Sequence, residues 1–193
     1  MLGIWKYTMI KMMRREPYMP VIHIDTNLIN SRGKLDAMNR LERWADDGLI
    51  VINISDTGMS EALAGNDVQR TRKALAQIYT INNISPDTSD PIYKKIESAL
   101  FPGGATTQNQ RNDVAIVCEA AKWGAILVTG DGASKSQPGG ILGNRDKIKD
   151  YVKIMTADET VAFVRNKLDE RDEFNRRVVS ECGGELPEWT GKD

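Results

Sequence analysis

Histidine is almost missing from this chain. Its 193 residues contain one, His23, set between Ile22 and Ile24 in an apolar run, where a packed strand residue is the plain reading. Chemistry built on a histidine dyad or triad is close to excluded. Cysteine is nearly as scarce. Cys118 falls in an apolar helical pattern and Cys182 in a polar tail, which is neither a disulfide framework nor a zinc spacing and points to a reducing cytoplasm. No apolar run has the length of a membrane span, so no membrane partner is expected. The first 20 residues carry lysines and arginines but no apolar stretch of signal-peptide length, and read as an extension ahead of the first strand or as a start assigned too early, with Met19 just before that strand. A net charge of −1 lacks the basic excess usual for nucleic-acid binders, but leaves room for a local basic patch.

What is present is an ordinary globular composition, 40% hydrophobic and 27% charged, sufficient for one core in a chain of this length. Residues 21–25 read as a buried strand. Residues 35–47 place Leu35, Met38, Leu41 and Trp44 on one helical face, with Gly48 as the stop. A second strand follows at 49–55, then a helix capped by Asp56 or Thr57 and ending at Gly65. Residues 67–80 are expected to be an amphipathic helix showing Val68, Leu75, Ile78 and Tyr79, followed by a polar loop and a short helix near 90–100. A long helix starts at Thr107, with Gln110 at capping-box spacing and Gly124 as its end. Residues 125–129 form a third strand, 132–147 a long polar loop, and VKIMT a fourth strand; the helix ADETVAFVRNKL is capped by Thr156 or Asp158. Alternating strands and helices predict a three-layer α/β/α sandwich with a mainly parallel central sheet. The expected division is an extension (1–20), one domain (21–168) and a polar tail (169–193), frayed or docked on a partner.

Parallel sheets place ligands beyond the carboxyl ends of their strands. Asp25 ends the first strand and Asp131 follows the third by two residues. Either alone reads as a helix cap or turn former; two at matched positions suggest a shared site. Glu61 lies early in the helix after strand two, where a solvated acid is the plain alternative. Asp113 sits inside the long helix on the face of Ile116 and Val117, where a carboxylate needs a partner; the alternative is an exposed residue or a bond to Arg111 or Lys122. Four converging acids repel one another unless a cation sits among them. Mg²⁺ or Mn²⁺ suits carboxylate oxygens and a chain poor in His and Cys.

The segments IDTNLIN, SEAL, and NDVAIVCEAAKWGAILVTGD, in that order, resemble the PIN domain, a family of metal-dependent nucleases that includes the toxins of VapC-type toxin–antitoxin pairs. The resemblance spans about residues 21–168. It implies a PIN-like fold and an acidic cluster of Asp25, Glu61, Asp113 and Asp131 that holds Mg²⁺ or Mn²⁺ and hydrolyses RNA. Asn27 and Thr129 match polar positions beside the first and last acids, and would steady them or position water. It also implies an antitoxin partner and a homodimer, although the chain is longer than the small toxins. RNA contact would fall to local cations such as Arg70, Arg72, Lys73, Arg111, Lys135, Arg145 and Lys147, most of which would otherwise be ordinary solvated residues. Two other readings compete. One is a non-catalytic PIN-fold module binding RNA or protein. The other is a phosphatase of the haloacid dehalogenase type, which needs a second acid where Asn27 stands. The segment GDGASKS departs from a phosphate-binding P-loop, with Ser134 in place of glycine before Lys135.

Overall fold

Short β-branched runs become strands here because both of their faces are covered. In the computed structural model, which describes residues 13–30, 32–75, 79–82 (backbone), 87–132 and 139–193, these runs are β1 (Ile22–Ile24), β2 (Ile52–Ser55), β3 (Tyr79–Asn82), β4 (Ile126–Val128) and β5 (Lys153–Met155). They form one all-parallel sheet in the order β3-β2-β1-β4-β5. The helices are α1 (Asp36–Asp46), α2 (Asp56–Ala64), α3 (Val68–Ala74), α4 (Pro91–Leu100), α5 (Gln108–Lys122), α6 (Gly140–Ile148) and α7 (Ala157–Cys182), with a 3-10 turn at Thr26–Leu28. The protein is thus α/β with a parallel sheet, as its alternating pattern predicts.

The strand period of two sorts the core into two layers. Ile22 lies opposite Ile52 and Ile126, and Ile24 opposite Ile54 and Val128. These six side chains share one cluster with Met38 and Leu41 of α1, Met59 of α2, and Val164 and Leu168 of α7. Leu127 and Ile154 belong to the second cluster, with Ile96 of α4, Val114 and Val117 of α5, and Ile141 of α6. Leu127 is fully buried. Its replacement by alanine should cost about 2–5 kcal/mol, seen as a lower urea midpoint with an unchanged slope.

The capping box of Thr107 and Gln110 is present, and Thr156 with Glu159 forms a second one at the start of α7. The cap of α2 is Ser55, one residue before the expected pair; its hydroxyl accepts from the Gly58 N–H at 3.0 Å.

Three expectations are corrected. The helix predicted over 67–80 stops at Ala74, and Tyr79–Asn82 forms a fifth strand against β2. The apolar spacing misled because Val68 and Leu75 are 71% and 59% exposed, so no core-facing stripe existed to continue the helix. Ile78, counted on that face, lies outside the described residues. The polar stretch 132–147 carries all of α6 but its last residue; the helix is anchored by buried Ile141 and Ile148, one heptad apart, and residues 133–138 of the stretch lie outside the described residues. Finally, α7 continues through the expected tail to Cys182, because its inward stripe turns polar: Arg171, Asp172 and Asn175 are buried. Arg171 pairs with Asp172 at 2.7 Å and Asp193 at 3.1 Å, and Gly191 N–H donates to Asp172 at 2.7 Å. The chain's last residues therefore pack on its own helix. Of the N-terminal extension, residues 13–20 are described, with Pro17 buried and the Arg15 carbonyl accepting from Arg171; residues 1–12 are outside the described set.

Candidate active site

The chain leaves β1 toward β2 on one side and later returns to place β4 on the other. The carboxyl ends of β1 and β4 therefore form a topological switch point, where side chains diverge and leave a crevice. The parallel ladder sets the register there. Asp25 N–H donates to Val128 O at 2.9 Å and Thr129 N–H to Met155 O at 3.1 Å, so Asp25 and Thr129 leave adjacent strands at the same level.

Their side chains meet. Thr129 Oγ1 donates to Asp25 Oδ2 at 2.6 Å, and Asn27 Nδ2 donates to the same oxygen at 2.8 Å and to Thr129 Oγ1 at 3.3 Å. Asn27 Oδ1 in turn accepts from Gly130 N–H at 3.1 Å, and Thr129 Oγ1 from Asp131 N–H at 3.0 Å. Both residues named from the resemblance thus hold the first acid and shape the turn that carries the last one. Asp131 also ends as a helix cap: its Oδ2 accepts from Ile141 N–H at 2.9 Å at the start of α6.

Glu61 reaches the same edge from α2. The hydroxyl of Thr26 lies 2.9 Å from Glu61 Oε2 and 3.3 Å from Asp25 Oδ1, and Asn112 Nδ2 donates to Glu61 Oε1 at 2.6 Å. A hydroxyl has one proton, so Thr26 serves one of the two acids at a time. Asp113, beside Asn112 on α5, is half-buried, and among the described residues nothing donates to its carboxylate.

The charges of the other three acids are felt at Asp113. Burial pushes Asp113 up to about 7, with the charges of Asp25, Asp131 and Glu61 adding to the rise. Burial also raises Asp25, helped by Glu61 and opposed by the hydrogen bonds from Thr129 and Thr26. His23 is buried and held neutral by desolvation, down to about 4. Because folded Asp113 keeps its proton above the unfolded value of 3.8, the native state is penalised as pH rises from there to about 7. Asp113→Asn should therefore gain melting temperature over wild type progressively across that window, then hold the gain at higher pH. Thermal melts at about pH 4, 6 and 8 measure it.

The donor chemistry fits a hard divalent cation: the converging groups are carboxylates, and each raises Asp113 in a way that a cation would offset. Among the described residues, no three of them stand close enough together to hold a metal as arranged.

No protein-family model matches the chain, and no curated protein matches it in sequence.

The expected RNA-binding cations are mostly turned elsewhere. Arg111 donates to Thr106 O and Gln108 Oε1 at 3.1 and 3.3 Å, Arg145 pairs with Glu159 at 2.9 Å, and Lys147 Nζ donates to Asn144 Oδ1 at 2.7 Å. Lys73 pairs with Glu42 at 2.7 Å, and Lys135 lies outside the described residues. Arg70 does reach the site, its guanidinium 2.5 Å from Thr26 O. It borders a cleft of about 720 Å³ that opens beside Glu61, between α2 and the first turns of α5, with Gln108, Asn109 and Asn112 on the far wall.

Thr26, Asn112 and Glu119 were not singled out from sequence. Glu119 is fully buried, accepts from Thr57 Oγ1 at 2.8 Å and hydrogen-bonds Ser55, tying the start of α2 to α5. Burial pushes its carboxyl up as well. The available signal was an acid amid Val117, Cys118 and Ala120, the same signal that drew attention to Asp113.

Proposed function

We propose that this protein is a PIN-domain-type endoribonuclease, dependent on Mg²⁺ or Mn²⁺, that hydrolyses single-stranded RNA segments in the cytoplasm. The observation that carries this reading is the convergence at one switch point of Asp25 and Glu61 on a single Thr26 hydroxyl, with Asp113 perturbed by both and by Asp131. The ordered motif resemblance supplies the reaction class.

In this reading Asp25, Glu61, Asp113 and Asp131 would hold the cation, whose chemistry there would be to lower the pKa of a water and to offset negative charge at the phosphorus. Asn27 and Thr129 keep the Asp25 carboxylate fixed, so that it does not rearrange as charge develops. Asp113 or Glu61 would instead hold the attacking water by a hydrogen bond to its carboxylate. Arg70 and the amides of Gln108, Asn109 and Asn112 give the RNA strand a path along the cleft: one cation for a phosphate, and neutral donors and acceptors for sugar or base edges.

The test is cleavage of a panel of structured and single-stranded RNAs with Mn²⁺, comparing wild type with Asp25→Asn and Asp131→Asn. Equal cleavage by all three defeats the proposal. Whether it acts as a toxin is decided by the neighbouring gene, where a small DNA-binding partner would be the antitoxin. Dimer formation is measured by light scattering.

One observation favours the rival, a non-catalytic PIN-fold module: among the described residues no three acids stand at metal-holding distance. Mn²⁺ separates the two. A catalytic site gains melting temperature with Mn²⁺ in wild type and loses that gain in Asp25→Asn, whereas a binding module shows no Mn²⁺ shift. The haloacid dehalogenase reading gains no support, since Asn27 acts as a donor to Asp25 where that chemistry needs a second acid.

A further inference from the structure

A second cavity, also about 720 Å³, lies at the opposite edge of the sheet. Its position follows from the topology. Asp47, on its wall, closes α1 five residues before β2 begins at Ile52, whereas Asp25 follows the last residue of β1. The cavity is thus distinct from the acidic site and its cleft.

Its walls combine charge with aromatic rings. Arg40, Arg43, Arg165 and Lys192 line it together with the indoles of Trp44 and Trp189. Arg40 and Arg43 sit three residues apart on one face of α1, a placement that sets like charges side by side. Among the described residues, neither they nor Arg165 has an ion-pair partner. The acids of the wall do not cancel them. Asp193 is taken by Arg15 at 2.7 Å and Arg171 at 3.1 Å, and Asp47 and Glu188 remain against the three arginines and Lys192. Trp189 is set in place by Arg171, whose guanidinium lies 4.6 Å from its ring, and Arg171 is itself locked by Asp172.

Guanidinium groups match phosphate oxygens in pairs, and a fixed indole offers a face to any nucleobase. The volume falls within the range of small-ligand pockets. We infer that this cavity binds a nucleotide unit, its phosphate held by Arg40, Arg43 and Arg165 and its base laid against Trp189. The unit is either a free nucleotide or one residue of a single-stranded nucleic acid. This inference stands whether or not the acids at the other edge cleave RNA.

The test uses the full chain and tryptophan fluorescence, titrated with AMP and with a single-stranded oligo(A) of about ten nucleotides. Saturable quenching is expected. Trp189→Leu should abolish it, and Arg43→Ser with Arg165→Ser should weaken binding at least about tenfold, as loss of phosphate contacts does. Arg70→Ala, at the other edge, should leave the quenching unchanged. Quenching by AMP assigns a free-nucleotide site, and quenching by oligo(A) alone assigns a strand site. No saturable quenching by either ligand, or quenching unaltered in both Trp189→Leu and the arginine pair, overturns the inference. Both arginines are exposed, so the paired variant is expected to fold, which its thermal melt checks.

Discussion

Asp25→Asn should lower RNA cleavage by at least roughly 100-fold, beyond the loss usual for a residue that only supports a metal ligand, while the protein still folds. The hydrogen bonds around position 25 explain both halves. Asp25 Oδ2 takes two donors, from Thr129 and Asn27, and the amide oxygen of asparagine can accept both. Its NH₂ then faces the Thr26 hydroxyl, which is free to turn its proton to Glu61 at 2.9 Å. The buried Thr26 backbone N–H also donates to the Asp25 carboxylate and competes with that NH₂, at a cost of about 1–3 kcal/mol, which leaves the packing of β1 intact. Removing a buried carboxylate whose pKa is raised by burial relieves the native state at neutral and higher pH and offsets that cost, so without metal the variant should melt close to wild type. With Mn²⁺ wild type should melt above the variant, because wild type alone gains from the cation. Thr129→Val provides the graded comparison, with an expected loss of about 10–100-fold. Cleavage assays and melts with and without Mn²⁺ read all of these. Asp25→Asn with full activity, or with an undiminished Mn²⁺ shift, removes Asp25 from the site.

Gly140→Ala should be the most damaging glycine-to-alanine change among the described residues. Gly140 has φ +54°, and a Cβ there would stand 2.7 Å from the Asp131 backbone oxygen and 2.7–2.8 Å from its carboxylate oxygens. The carboxylate can swing away, but the backbone carbonyl is held by the Leu142 N–H at 3.0 Å. Left-handed strain together with overpacking should cost about 2–4 kcal/mol. The displacement reaches Asp131, so cleavage should fall as well. Gly143→Ala, three residues on in the same helix, is the control. Its Cβ meets nothing within 4 Å, so it should be neutral or stabilise by up to about 1 kcal/mol. Urea midpoints compare the two; equal values would show that the close approach at Gly140 does not constrain α6.

Local chemistry was legible where one residue type has one common use. Thr107 with Gln110 spelled a capping box, and the runs at 21–25 and 125–129 spelled buried strands. It was illegible where burial depends on distant chain. Val68 and Leu75 looked like a core stripe and are exposed, whereas Arg171 and Asp172 fell in the expected polar tail and are buried, because Asp193 and Gly191 return to satisfy them. Thr26 and Asn112 gave no signal of their own, since a threonine or an asparagine next to an acid is commonplace.

The sequence by itself determined that this is an α/β protein with a parallel sheet, and that Asp25, Glu61, Asp113 and Asp131 were the acids worth following. Helix and strand periods, caps and the scarcity of histidine are local properties, and local properties survive in a one-dimensional reading. Only the tertiary structure decided what surrounds those acids. Asp25 and Thr129 are 104 residues apart, and they touch because β1 and β4 are neighbours in matched register at a switch point. That adjacency depends on which crossovers pass over which face of the sheet. Cooperative packing of the whole chain sets it, and no short stretch encodes it.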